Sequence, residues 1–137
     1  MTYRLVLKSA AAILMIFGLA LVFIPNELMA VYKAEPLNQT GVYNTMLYGG
    51  TFIALAIMNW AASNAPTMAD VRYVILGNLI INCASFAITL TRQLTSTETP
   101  QASWLNVALS FIFACLFGYL QFAKVPTSGP ASTSIRG

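Results

Sequence analysis

Leu5–Ile24 reads LVLKSAAAILMIFGLALVFI, an apolar run with one charge, halted by Pro25. A helix needs about 20 mainly apolar residues to cross the hydrocarbon core of a bilayer. Three more runs of that kind follow. They are about Gly41–Ala62, Val71–Leu94 and Ser103–Ala123. Lipid offers no partner to a bare peptide group, so each run must satisfy its own backbone, and only helices or closed barrels do that. Barrel strands alternate apolar and polar residues, and these runs do not. The expected fold is therefore all-α, a four-helix transmembrane bundle spanning residues 1–124.

Composition agrees. Of 137 residues 58% are hydrophobic and 8% charged, and mean hydropathy is +0.71. Soluble domains carry about 25% charged residues, so most of this surface is expected to face lipid. The net charge of +3 is spread singly over Arg4, Lys8, Lys33, Arg72, Arg92, Lys124 and Arg136. That scatter lacks the basic stripe of a nucleic-acid binder, and no nucleic-acid partner is expected.

The connections fit a bundle. Ser63–Ala69 (SNAPTMA) and Thr95–Ala102 (TSTETPQA) are short and carry Pro66 and Pro100, which makes successive helices antiparallel neighbours. Pro25–Thr40 is longer. Leu28, Met29, Val31 and Tyr32 are interspersed there with Glu27, Lys33 and Glu35, the pattern of a short amphipathic helix lying at a membrane face. Residues 125–137 are rich in Pro, Ser and Gly and read as a disordered cytoplasmic tail.

Lys and Arg near span ends set orientation. Arg4, Lys8, Arg72, Lys124 and Arg136 fall on one side, Lys33 and Arg92 on the other. That bias predicts both termini in the cytoplasm, N-in and C-in, for a multi-pass protein of the bacterial inner membrane. A cleaved leader ending at Ala30 is the alternative. It is disfavoured by Leu28 two residues before the cut and by the length of the apolar core. Asn38-Gln39-Thr40 matches a glycosylation acceptor only in a secretory setting.

The polar residues inside the runs carry what functional signal there is. Asn78, Asn82, Ser85 and Thr89 recur at steps of four, three and four, one face of a helix. Asn106, Ser110, Ala114 and Gly118 do the same on the fourth run, and Gly50, Ala54, Met58 and Ala62 on the second, with Asn59 beside them. The plain reading is that these stripes face one another, their amides and hydroxyls bonding across helices and fixing register. The functional reading is an Asn-lined cleft, formed by Asn78, Asn82, Ser85, Asn106 and Ser110, for a small neutral or amphipathic ligand such as a lipid or quinone. Glu27, Tyr32 and Glu35, with Arg92 as an opposing charge, make a second candidate cluster at the interface.

Several chemistries lack their usual residues. The chain has no histidine, and Glu27, Glu35, Asp70 and Glu98 lie in loops or at span edges. Proton and ion paths call for charged groups inside the spans. Cys83 and Cys115 fall near mid-membrane on adjacent runs and could touch. Nothing there would poise a thiolate, so two small apolar side chains is the plain reading. No metal site, cofactor or enzymatic activity is expected. The leading expectation is a scaffold or accessory membrane component, with the bilayer as partner and homo-oligomerisation or a membrane-protein partner through small-residue faces. Gly118→Ile would then break the assembly or the bundle.

Phe23–Leu28 (FIPNEL), Leu47–Gly50 (LYGG) opening the second run, an Arg-led third run and an aromatic end to the fourth come in a familiar order. Over about residues 5–123 the chain resembles a bacterial family of small four-helix membrane proteins of unknown function with a DoxX-like arrangement. The resemblance implies a fold and a location and no reaction.

Overall fold

The computed structural model describes residues 2–96 and 101–122, and every regular element among them is helical. The elements are α1 (Tyr3–Phe23), α2 (Pro25–Val31), α3 (Gln39–Ser63), α4 (Arg72–Thr95) and α5 (Trp104–Phe122). All but α2 are long and apolar enough to cross a membrane. Their bounds lie within one or two residues of those expected from the runs. Residues 125–137, expected to be a disordered tail, lie outside the described residues.

Local chemistry explains the breaks. Pro25 cannot donate a backbone hydrogen bond, so it ends α1 and opens α2 at a position where no donor is needed. Asn38 caps α3, its Oδ1 accepting the Gly41 N–H at 2.7 Å. The residue that opens the glycosylation-like triplet thus has a structural task. Before α4, the Asp70 carboxylate accepts both the backbone N–H of Thr67 (3.0 Å) and its hydroxyl (2.8 Å), fixing the turn into the helix.

The four long helices form two pairs, α1 with α3 and α4 with α5. A Cβ on Gly18 would lie 2.9 Å from the Gly49 carbonyl oxygen, and one on Gly49 2.8 Å from that of Gly18. Two backbones meet there, which only glycine permits. Gly50 has nothing within 4 Å, and Ala54 and Met58 are exposed. The face of α3 that meets α1 is thus one residue away from the expected Gly50/Ala54/Met58 stripe. In the other pair Leu79 covers Gly118 at an ordinary 3.7 Å, and Phe86 meets Phe111 with ring centres 5.3 Å apart.

The pairs join at one end, here the near end, where α1 and α4 begin and α3 and α5 finish. Val6, Leu7, Val71, Ile75, Phe117 and Leu120 form a buried cluster there. Polar staples surround it. The Tyr3 hydroxyl and Arg4 guanidinium both donate to the Ala65 carbonyl (2.7 and 3.1 Å), and Arg72 donates to the Gln121 carbonyl (2.9 Å). Large apolar side chains such as Ile16, Ile57, Ile80 and Phe111 stand exposed on the outside. This apolar exterior is what lipid-facing helices require and what water would penalise.

Candidate functional site

Away from the near end the pairs separate, and a cavity of about 570 Å³ opens between them. Such a volume falls within the range of small-molecule sites, roughly 300–1,000 Å³. Its walls differ in character. Helices α1 and α3 supply Ile13, Leu14, Phe17, Leu21, Phe52 and Leu55; α4 and α5 supply Asn82, Ser85, Thr89, Asn106 and Ser110. The α1/α3 side is mainly hydrocarbon, with Tyr48 and Thr51 on it, and the α4/α5 side carries a line of neutral polar groups among Ile81, Ile88, Leu109 and Phe113.

The end nearest the core cluster is formed by Ala10, Phe113 and Asn78. Asn78 is spent. Its Nδ2 donates to Asn59 Oδ1 (2.7 Å) and to the Val74 carbonyl (2.9 Å), while Asn59 Nδ2 donates back to Asn78 Oδ1 (3.0 Å). Both residues are buried, at 0% and 4% exposure. A reciprocal amide pair satisfies groups that would otherwise be costly in an apolar interior. It also ties α3 to α4, one from each helix pair, so its energetic place is register rather than ligand capture.

The far end is closed by α2. Leu28, Met29 and Tyr32 line the cavity from above, and the Tyr32 hydroxyl donates to Asn106 Oδ1 at 3.2 Å. The short helix expected at a membrane face therefore folds over the bundle. Burial pushes the Tyr32 phenol above its ordinary value of 10.0, so it is a donor at neutral pH. The turn that follows α2 is tight. Ala34 N–H bonds the Met29 carbonyl and Lys33 N–H the Ala30 carbonyl, with Lys33 at φ 55°. This is the two-bond terminator usually built on glycine.

Between floor and lid, the remaining polar groups are partly spent. Asn82 Nδ2 donates to the Asn78 carbonyl (2.8 Å), the Ser110 hydroxyl to the Asn106 carbonyl (2.7 Å) and the Thr89 hydroxyl to the Ser85 carbonyl (2.7 Å). These bonds run within single helices. The expected cross-helix bonding of facing stripes is seen for Asn78 with Asn59, the amide beside the α3 stripe; Asn106 instead bonds Tyr32, which lies in no stripe. Among the described residues Asn82 makes no cross-helix side-chain bond and Asn106 makes one, through Oδ1; both residues line the cavity.

All five residues expected to line an Asn-rich cleft, Asn78, Asn82, Ser85, Asn106 and Ser110, do line this cavity. Of the interfacial cluster, Tyr32 joins the site. Glu27 and Glu35 are exposed outside it, and Arg92 is exposed near the far end of α4. Cys83 and Cys115 are both free thiols, exposed on the outer surface. Sequence reasoning missed the partner role of Asn59 and the Gly18–Gly49 contact. The available signals were the single buried-type amide near the end of α3 and the first glycine of the Gly49-Gly50 pair.

Residues 2–120 match the family described as "Domain of unknown function (DUF8292)", and the chain belongs to that family. No curated protein and no solved structure matches the chain.

Proposed function

We propose that this chain is a membrane-embedded binder of an uncharged, amphipathic molecule, lipid- or quinone-like, held between the two helix pairs. One observation carries the reading: the cavity has a mainly apolar wall on α1 and α3 facing a line of neutral polar side chains on α4 and α5, with Asn82 and Asn106 among its lining residues. An apolar body fits the first wall, and a carbonyl or hydroxyl head fits the second. Among the described residues no charged side chain lines the cavity, which disfavours an ionised head, because bringing a charge into such a site unpaired is costly. The reading assigns binding, with or without transport, and no reaction. It includes an N-in, C-in bundle with a DoxX-like helix order in a bacterial inner membrane.

A scaffold or accessory role is the second reading. It is favoured by Gly50, Ala54 and Met58, which leave a smooth outward strip on α3 against which another helix could pack. Native mass spectrometry of protein released gently from its own membrane separates the two. The binder reading expects a stoichiometric neutral molecule that is lost in Ser85→Phe, a substitution that fills the cavity. A bare oligomer or protein complex in both parent and variant would overturn it in favour of the scaffold.

A further inference from the structure

A second recess lies on the outside of the bundle, between α1 and α3. It is a groove of about 310 Å³ formed by Ala11, Ala12, Met15, Ala56, Ile57 and Trp60. Its lining is almost wholly apolar, and small side chains make it. At its near end Lys8 places its ammonium 5.6 Å from the centre of the Trp60 ring. Arg4 lies one helical turn beyond Lys8 on the same face of α1. The Arg4 guanidinium donates to the Ala65 carbonyl and Tyr3 hydroxyl. Among the described residues no ion pair joins either cation to a carboxylate, and Asp70 Oδ2 accepts from Thr67.

Lys8 stands more than a turn inside an apolar helix, where an ammonium without an anion is expensive. Its stem can run along the helix surface toward the near end and lift the charge toward the headgroup layer. Trp60 supplies an attractive ring face and belongs to the belt of aromatics found at that depth. Two positive charges thus stand at one end of a narrow apolar slot. We propose that this groove is a binding site for an anionic phospholipid. One acyl chain lies against Ala12, Met15, Ile57 and Trp60, and the phosphate is held by Lys8 with Arg4 behind it. The site is separate from the inter-pair cavity, and it stands whether or not that cavity binds a ligand.

The chain has two tryptophans, Trp60 and Trp104, so Trp104→Phe leaves Trp60 as a single reporter at the groove. The full chain carrying Trp104→Phe is reconstituted in phosphatidylcholine vesicles. Bromine-labelled phosphatidylglycerol or bromine-labelled phosphatidylcholine is added at equal mole fraction, and Trp60 quenching is titrated. The expected result is a preference for the anionic lipid of about fivefold, the size of one added basic contact. That preference should fall to near onefold in Lys8→Gln and persist in Lys8→Arg. Ala12→Leu, which fills the groove without changing charge, should weaken quenching by the anionic lipid. Equal quenching by the two lipids in the Trp104→Phe protein would overturn the proposal. So would an anionic preference that survives Lys8→Gln, since bulk charge would then explain it. Lys8 is exposed, and circular dichroism of each variant confirms that the comparison is between folded proteins.

Discussion

The near and far ends of this bundle are built from the same kinds of apolar residue and yet are packed in opposite ways. At the near end Val6, Leu7, Ile75 and Phe117 are all but fully buried, at 1% exposure or less. At the far end the same helices part around about 570 Å³ of space. In lipid, leucine and phenylalanine gain little by leaving hydrocarbon, so burial of apolar area does not by itself pull helices together. What closes one end is specific: side chains that fit and, across the pairs, the reciprocal Asn59–Asn78 amide pair, while the staples at Ala65 and Gln121 fasten each pair within itself. What keeps the other end open is the want of such pairs between α1/α3 and α4/α5 beyond Asn78. The cavity thus begins where the amide link between the long-helix pairs ends, and at its far end Tyr32, just after α2, bonds across to Asn106 of α5.

The largest effect expected from that contrast comes from truncating matched aromatics. Phe117 has no exposed surface and touches both helix pairs. Phe117→Ala should cost about 3–5 kcal/mol. Phe17 faces the cavity and is only half-buried, so Phe17→Ala should cost about half as much or less, because its site is already partly void. Reversible unfolding in mixed micelles measures both. Equal costs would mean that the far end is as tightly packed as the near one.

Next comes the glycine pair. A Cβ at Gly49 would strike the backbone of α1, whereas one at Gly50 meets nothing within 4 Å. Gly49→Ala should destabilise by about 1–3 kcal/mol through overpacking. Gly50→Ala should be neutral, or slightly stabilising through helix propensity. The same unfolding assay reads the pair, and a reversed order would place the α1–α3 contact on the other face of α3.

The amide pair tests the hinge between the two ends. Asn59→Leu or Asn78→Leu alone leaves one buried amide without its partner and should cost about 1–3 kcal/mol. The double variant should recover part of that loss, with a coupling energy of about 0.6–1.7 kcal/mol. Additive losses would show that the two amides do not depend on each other.

These same residues show how far the sequence could be read. The four runs, the break at Pro25 and the short helix after α1 follow from local chemistry, so they were legible, whereas the cap at Asn38 was not read. The polar stripe on α4 and α5 was legible too, because Asn, Ser and Thr are conspicuous among Leu and Ile and repeat at helical spacing. The partner of each stripe was not. Gly49 and Gly50 are adjacent and chemically identical, and in a membrane helix the lipid and protein faces are both apolar, so hydropathy cannot select between them. Asn59 looked like an isolated amide because its partner lies across a loop on another helix. The lid was half legible. The amphipathic pattern gave α2, but nothing local announced that Tyr32 would reach Asn106.

That last contact gives the smallest and most specific prediction. The Tyr32–Asn106 hydrogen bond joins α2 to α5 across the mouth of the cavity. Tyr32→Phe removes the donor and keeps the ring, so it should cost about 0.6 kcal/mol, the usual size of such a bond in membrane bundles. Burial raises the phenol's ionisation in the folded state above its ordinary value of 10.0, while the unfolded chain keeps that ordinary value. A group shifted this way contributes stability that is fully present below about pH 10 and is lost as pH climbs from there through the folded-state value. Ionisation also removes the proton that the bond uses, so the lid loosens over that same interval. The parent protein should therefore lose more stability between pH 9 and pH 11 than Tyr32→Phe does, and the difference isolates Tyr32 from the other phenols and from Lys8 and Lys33. Identical pH profiles would mean that the hydroxyl does not hold the lid. The far end would then owe its closure to Leu28 and Met29 alone, apolar contacts of the kind that left the rest of that end open.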